Sequence, residues 1–265
     1  MDIQEIIERY EAGESLASLG RKNNCDSRII KSYLEKRNIH IRNRSEQAKI
    51  TNMARTKSVN HNYFNEIDNN NKAWLLGFLT ADGYITKNRN TISIGLSSTD
   101  EEILIKIKEE LKIERTISHK ETGNGFQVST LEWSSQNQKE KLAQYGIVNN
   151  KTYKELHLPN FSNNQLTLAY ILGYFDGDGS FSENNLYCRF RICSHRPELL
   201  TDIANFLNKQ YKASFSLSQD KRGLYELSIS TTYAKSIFND MYNLNCLHLK
   251  RKYDKYIQWK EKFNF

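Results

Sequence analysis

The sequence contains few cysteines and no long hydrophobic run. Its four cysteines, Cys25, Cys188, Cys193 and Cys246, form no C-x-x-C pair, so the pattern indicates neither a zinc site nor a disulfide framework. No stretch approaches the length of a membrane span, and the first residues are acidic and amphipathic rather than basic and then apolar. We therefore expect a soluble intracellular protein with no membrane partner, in the cytoplasm or nucleoid of a microbe or phage host.

Several catalytic signatures are also missing. The sequence has no GxxxxGK loop, which argues against an enzyme driven by nucleotide hydrolysis. The segment HNYFN at 61–65 matches half of an HNH nuclease pattern, but no second histidine follows at a ligand spacing. The chain starts with MDIQ and ends with KFNF, without the nucleophile and His-Asn pair of an intein. We interpret it as a freestanding or intron-encoded protein.

Length and charge leave several classes open. The 265 residues suffice for one large domain or two smaller ones with a buried core. The 38 lysines and arginines outnumber the 31 acids, for a net charge of +7. Such a balance suits a polyanionic partner, although by itself it supports nucleic-acid binding only weakly.

The chain contains an internal repeat. WLLGFLTADGYI at 74–85 matches YILGYFDGDGSF at 170–181 without a gap, at an offset of 96 residues. The same offset places 92–98 on 188–194, and it aligns three apolar positions of each following segment: Leu104, Ile107 and Leu111 with Leu200, Ile203 and Leu207. A chance turn would not align its neighbours over such a distance, so the sequence indicates a duplication.

Each repeat combines helices and strands. After each acidic motif, apolar residues alternate along a short run, which predicts a half-buried strand; they are Ile92, Ile94 and Leu96 in one copy and Cys188, Phe190 and Ile192 in the other. A helix follows, opened by the capping-box pair Ser98 and Glu101 in the first copy and by Pro197 in the second. Further strands and a helix complete each copy. The fold class predicted is a duplicated α+β architecture.

Small residues lie on one face of each motif helix. Gly77 and Ala81 are four residues apart in the first motif, and Gly173 and Gly177 are four apart in the second. This spacing lets two helix backbones approach closely, so we expect the motif helices to pack together at a pseudo-twofold axis.

Packing of this kind would make Asp82 and Asp178 neighbours at the helix ends. Two carboxylates at the negative ends of two helices oppose each other's ionisation, and a divalent cation removes that cost. Oxygen ligands near phosphate suit Mg²⁺, which can polarise a phosphodiester or activate water. The simpler interpretation is that both acids only form turns.

The two motifs resemble the paired signature of the LAGLIDADG homing endonucleases, with 75–83 and 171–179 aligned on the nine-letter name. The resemblance covers roughly 64 to the carboxyl terminus. It implies a monomeric, pseudo-symmetric chain with αββαββα repeats at 63–160 and 161–265. It also implies saddle-shaped sheets that straddle the major groove of a long asymmetric DNA site.

The resemblance also implies roles for individual residues. Asp82 and Asp178, at the eighth motif position, would bind the catalytic metal. The sixth position, commonly an acid that helps to end the helix, is Asp176 in the second copy and Thr80 in the first. The family places a basic residue near each metal, and the candidates in the two repeats are Lys151 and Lys252, with Lys154 and Lys250 as neighbours. A lysine in such a run can equally be a solvated charge or a plain phosphate contact.

DNA contacts are expected on the strand face that points away from the helices. Alternation places Arg189 and Arg191 there, where arginine can read guanine, with Ser93 at the matching place of the first repeat. Hairpin loops should carry four further basic residues: Lys87, Arg89, Lys221 and Arg222. Each could also be an ordinary exposed charge.

Residues 1–43 have apolar spacing for three short helices and resemble a resolvase-like helix-turn-helix, an all-α module often fused to homing endonucleases. A recognition helix near 27–36 would present Arg28 and Lys31 to DNA. Most of the charged residues in 44–62 are basic, and the segment lacks apolar periodicity. We therefore interpret it as a basic linker.

Together these features predict a site-specific homing endonuclease that cuts double-stranded DNA with Mg²⁺ and leaves short 3′ overhangs. The alternatives on the same fold are an RNA-splicing maturase, which binds intron RNA, and a DNA-binding regulator without catalysis. The presence of both Asp82 and Asp178 favours cleavage.

Overall fold

The computed structural model describes residues 2–57, 59–150, 155–181, 188–221 and 223–263. The chain divides into two compact units, Met1–Ser58 and Val59–Phe265. Across these described ranges, every helix is too short or too polar to cross a membrane.

The amino-terminal unit begins with the helices α1 (Ile3–Glu11), α2 (Leu16–Lys22) and α3 (Ser27–Glu35). Each starts at a polar side chain that accepts backbone N–H groups of the first turn: Asp2, Ser15 and Asp26. Their apolar faces meet in a small core of Ile6, Tyr10, Leu19, Ile30 and Leu34. The helices lie where the spacing predicts them, and binding of DNA by this unit stays a prediction.

Residues 44–57, part of the segment that the sequence predicts to be a linker, form a helix, α4 (Arg44–Lys57). The Asn43 side chain accepts the Glu46 N–H at 3.0 Å, and the Glu46 carboxylate accepts the Asn43 N–H at 2.7 Å. This reciprocal capping box starts a helix without apolar periodicity. Gln47 then joins it to the first helices by donating to the Gly13 carbonyl at 3.0 Å.

Residues 59–62, also assigned to the linker by the sequence, belong instead to the second unit. Val59 is buried in the large core. The Asn60 N–H donates to the Leu111 carbonyl at 2.8 Å, and the Asn60 carbonyl accepts from the Gln138 side chain at 2.6 Å. Backbone hydrogen bonds therefore include this stretch in the first repeat.

The second unit contains the predicted αββαββα arrangement twice. The first repeat comprises α5 (Asn70–Asp82), β1 (Gly83–Ile85), β2 (Thr91–Ser97), α6 (Glu101–Glu110), β3 (Ser118–Glu121), β4 (Gln127–Ser134) and α7 (Gln136–Gln144). The second comprises α8 (Asn164–Asp178), β5 (Gly179–Ser180), β6 (Phe190–Ser194), α9 (Pro197–Tyr211), β7 (Leu217–Gln219), β8 (Tyr225–Ile229) and α10 (Thr231–Tyr242), followed by α11 (Lys250–Phe263). The duplicated α+β fold is confirmed.

Each repeat forms one antiparallel four-stranded sheet, in the order β1-β2-β4-β3 or β5-β6-β8-β7. One face of each sheet is buried against the helices, through residues that alternate along the central strands: Ile92, Ile94, Leu131 and Trp133 in the first, and Phe190, Ile192, Leu227 and Ile229 in the second. The other face, which we call the open face, carries the intervening residues.

The gapless alignment of the two repeats is wrong in one strand. Gly83 pairs with Ile94 in the first sheet, whereas Gly179 pairs with Ile192 in the second, two residues further along than the constant offset predicts. Ser93 therefore matches Arg191 rather than Arg189. Because side chains alternate with a period of two, a two-residue shift preserves which of them face the core.

The helices α5 and α8 pack against each other through their backbones. A Cβ atom on Gly77 would lie 2.0 Å from the Tyr170 carbonyl oxygen, and one on Gly173 would lie 1.9 Å from the Trp74 carbonyl oxygen. The contact is reciprocal, as a pseudo-twofold axis requires. Close packing predicted from the glycine spacing is confirmed.

Gly173→Ala tests this contact. Its methyl group meets backbone atoms that have no side-chain rotamer to change, so we expect a loss of about 3 kcal/mol or more in the free energy of unfolding. This loss exceeds the roughly 1 kcal/mol that alanine gains over glycine in a helix. Denaturant unfolding of the full chain measures it.

The matched control is Gly95→Ala, because a Cβ there meets the Thr130 side-chain oxygen at an ordinary 3.5 Å. We expect this variant to lie within about 0.5 kcal/mol of the wild type. Equal unfolding free energies for the two variants would contradict backbone contact at the crossing.

Candidate active site

Each motif helix ends at the acid in the eighth position of its motif. Asp82 is the last residue of α5, and Asp178 is the last residue of α8. The following residues, Gly83 and Gly179, have extended backbones, and their N–H groups donate to a carbonyl of the preceding turn. A Cβ on either glycine would lie 2.5 Å from that carbonyl oxygen. Glycine thus lets the chain pass directly from the acid into the first strand.

The crossing brings the two helix ends together. An Asp82 carboxylate oxygen lies 3.2 Å from the place that a Cβ on Gly177 would occupy, one residue before Asp178. Asp82 is half-buried and Asp178 is exposed. In the described parts of the chain, no group of three or more His, Cys, Asp or Glu side chains is arranged to hold a metal ion.

The Lys252 side chain is buried at the end of α8 rather than exposed to solvent. It is only 3% exposed, and its ammonium group donates to the carbonyls of Phe175, Asp176 and Gly179. The Phe175 and Asp176 carbonyls belong to the last turn of α8, and Gly179 is the residue that follows the helix. The sequence prediction has Lys252 facing phosphate or water, whereas the structure shows a buried cation that stabilises the end of the helix carrying Asp178.

Asp176 is buried beside this cation. Its Oδ2 atom accepts the Trp74 indole N–H at 2.9 Å and the Leu249 N–H at 3.0 Å, while its Oδ1 atom is buried and accepts no hydrogen bond from the described residues. Burial raises the pKa of Asp176 and lowers the pKa of Lys252, and the attraction between their opposite charges reduces both shifts. The Asp176 side chain therefore joins α8 to α5 and to the start of α11, instead of ending its own helix.

The first motif contains the matching link. The Tyr170 hydroxyl donates to the Thr80 hydroxyl at 3.1 Å, and Thr80 donates back to the Leu76 carbonyl at 2.9 Å. Trp74 and Tyr170 occupy equivalent places, directly before the two motifs. Our sequence interpretation missed both, although an aromatic donor preceding each motif was the available signal.

Lys151 and Arg222 fall outside the described residues. The other predicted basic residues of the loops are exposed: Lys87 and Arg89 between β1 and β2, and Lys221 between β7 and β8. On α3, Arg28 pairs with Asp26 at 2.9 Å and Lys31 with Glu35 at 3.6 Å.

The open face of the second sheet carries Arg191 as predicted. Its guanidinium donates to the Glu226 carboxylate at 2.6 Å, and its side chain remains 44% exposed. Arg189 is half-buried and precedes β6. The charges of both arginines lower the pKa of Glu226, chiefly through the hydrogen bond from Arg191.

Comparison with known proteins agrees with this geometry. A family model described as a LAGLIDADG-like domain matches residues 69–152 and again residues 165–241. The two matches cover more than half of the chain, and each includes one acidic motif. No curated protein matches the sequence.

Similar solved structures include the homing endonuclease I-WcaI bound to its DNA recognition sequence, with a TM-score of 0.50, 13% identity, and coverage of 74% of this chain and 86% of that one. They also include I-LtrWI bound to target DNA, with a TM-score of 0.49, 14% identity, and coverage of 77% of this chain and 91% of that one. A third is I-SmaMI bound to cleaved DNA, with a TM-score of 0.47, 16% identity, and coverage of 71% of this chain and 87% of that one. At these identities, the likeness to I-WcaI shows the fold alone.

Lys252→Met tests the buried cation. The variant removes the ammonium donor from three carbonyls around the end of α8, and it removes the positive charge that most stabilises the buried Asp176 carboxylate. We expect it to lower the free energy of unfolding by about 3 kcal/mol or more, measured by denaturant titration.

The exposed neighbour Lys250, paired with Asp254 at 2.7 Å, supplies the control: Lys250→Met should cost at most about 0.5 kcal/mol. Asp176→Asn should be less costly in the Lys252→Met background than alone, because the charge it removes is no longer compensated there. Additive losses would show that the two groups do not interact.

Proposed function

Because this chain belongs to the LAGLIDADG family, with one domain around each acidic motif, we propose that it is a site-specific endonuclease that cuts both strands of duplex DNA. The observation that carries the proposal is the position of the Asp82 carboxylate against the last turn of α8, the helix that ends at Asp178. Two acids at one point suit an enzyme that hydrolyses two phosphodiester bonds on opposite strands.

We propose Mg²⁺ as the cation that Asp82 and Asp178 hold. Both carboxylates lie at helix carboxyl termini, where the helix dipole and the charge of the neighbouring acid disfavour ionisation of each carboxyl group. Mg²⁺ is commonly bound through one or two carboxylates together with phosphate oxygens and water, so the residues present fit this ion. When bound, it polarises a phosphodiester and lowers the pKa of an attacking water.

The basic residues support this site in two ways. Lys252 acts as a positioning residue, because its ammonium holds the carbonyls at the end of α8 and thereby fixes the backbone that carries Asp178. Its positive charge also interacts with Asp82 and Asp178. We retain Lys151 as the residue that contacts the phosphate in the first repeat.

The open faces of the two sheets would lie along the major groove. Support comes from the exposure of Arg191 and of the loop residues Lys87, Arg89 and Lys221; we include Arg189 and Arg222 in the same surface. Because both repeats lie in one chain and their faces differ, we propose a monomer that binds a long asymmetric site and leaves short 3′ overhangs. Arg28 and Lys31 on α3 would extend the contact.

Cleavage of a randomised duplex library with Mg²⁺ tests the proposal, with Asp82→Asn and Asp178→Asn beside the wild type. We expect the wild type to produce discrete double-strand cuts, and each variant to lose cleavage by at least about 10³-fold while retaining duplex binding. The loss follows because each substitution removes a charged donor of the metal. Sequencing of the cut ends gives the target and the overhang.

The exposed acid Asp254 supplies the control, since Asp254→Asn changes a carboxylate paired only on the surface of α11. It should cut like the wild type. A wild type that binds duplex but enriches no cut sequence would contradict the nuclease. Tight binding of structured intron RNA in its place would support the maturase.

A further inference from the structure

The residues of the second sheet that lie nearest to Asp178 form a short ladder. Ser180, two residues after Asp178, pairs with Arg191 on β6, and Arg191 pairs with Ser228 on β8. Opposite residues in such a ladder are about 5 Å apart, so Arg191 lies close to the acid along the open face. Base pairs within its reach are therefore those beside the cut that Asp178 serves.

Arg191 is held in place by its neighbour. The Glu226 carboxylate on β8 accepts from the guanidinium at 2.6 Å, and it is less exposed than the arginine, at 25% against 44%. An arginine fixed by a carboxylate presents its remaining donors in a defined plane, which suits the two acceptors on the major-groove edge of guanine. Because the pair has no net charge, it adds little general attraction to phosphate.

The equivalent place in the first sheet has different chemistry. The ladder there pairs Ser93 with Tyr84 and with Glu132. Ser93 is short, whereas Tyr84 is 56% exposed and presents an aromatic ring. The carboxylate of Glu132 is occupied by Arg115, which approaches from outside β3 at 2.6 Å. No arginine stands at the position that matches Arg191.

We propose that Arg191, positioned by Glu226, selects a G·C base pair beside the cut in the half of the target next to Asp178, and that the other half lacks this selection at its matching base pair. The inference rests on the proposed function, since it assumes that the open faces bind the major groove. It assigns the specificity to one residue and explains why two halves built on the same fold need not read the same sequence.

The test uses binding, so that it does not depend on cleavage. The full chain selects bound duplexes from a randomised library without Mg²⁺, and single base-pair variants of the selected duplex are then compared by competition. We expect the wild type to prefer one G·C pair in the inner part of one half by about tenfold or more. Arg191→Gln should abolish that preference and leave the preferences at other positions intact.

Glu226→Gln separates positioning from folding. It should weaken the preference at the same base pair without changing the preferred base. It should also make non-specific binding more dependent on salt, because Arg191 becomes free to contact phosphate. We expect the slope of the logarithm of the binding constant against the logarithm of salt concentration to steepen by up to about one. A purely structural role for Glu226 would not change that slope.

Arg115→Gln is the control, since this exposed arginine also pairs with a strand glutamate but on the first sheet. It should leave the half read by Arg191 unchanged. The inference is overturned if Arg191→Gln alters no preference, or if it weakens all positions equally. A wild type that selects a duplex but does not cut it with Mg²⁺ would contradict the nuclease alone, and the Arg191 comparison would still decide this inference.

Discussion

Backbone contact between α5 and α8 is the constraint on which the rest of the second unit depends. At Gly77 and Gly173 the backbone of each helix contacts a carbonyl oxygen of the other. A Cβ atom at either position would clash with that oxygen, so only glycine fits. Both helices are buried along most of their length, so the core of each repeat is built around this crossing. Since each helix ends at an acid, the same contact that closes the core also brings Asp82 to the end of α8.

The polar groups at the crossing complete this arrangement. Aromatic donors preceding each motif reach the sixth position of the opposite motif, as Trp74 does to Asp176 and Tyr170 to Thr80. The two links differ in charge: the first ends at a carboxylate that lies beside the buried cation Lys252, whereas the second joins two hydroxyl groups. The fold is thus nearly symmetric in its backbone, while its electrostatics differ between the halves. Such a difference suits a site whose two acids act on two different strands.

Sequence reasoning succeeded where the physics is local and periodic. The spacing of Gly77 and Gly173 predicted the crossing, and alternation placed Arg191 on the open face even though the strand is shifted by two residues. It failed where a long-range contact decides. The capping pair at Asn43 was overlooked because the helix it starts has no apolar stripe, and the destination of Lys252 depends on how α11 folds back beneath α8.

The central claim is that the crossing helices hold a divalent cation between the protein and the DNA backbone. The most direct measurement is anomalous diffraction from crystals of the DNA complex grown with Mn²⁺, which binds the oxygen ligands that Mg²⁺ prefers. The account predicts anomalous peaks within direct coordination distance of the carboxylates of Asp82 and Asp178 and of DNA phosphate oxygens. Peaks elsewhere on the complex, with neither carboxylate coordinated, would contradict it.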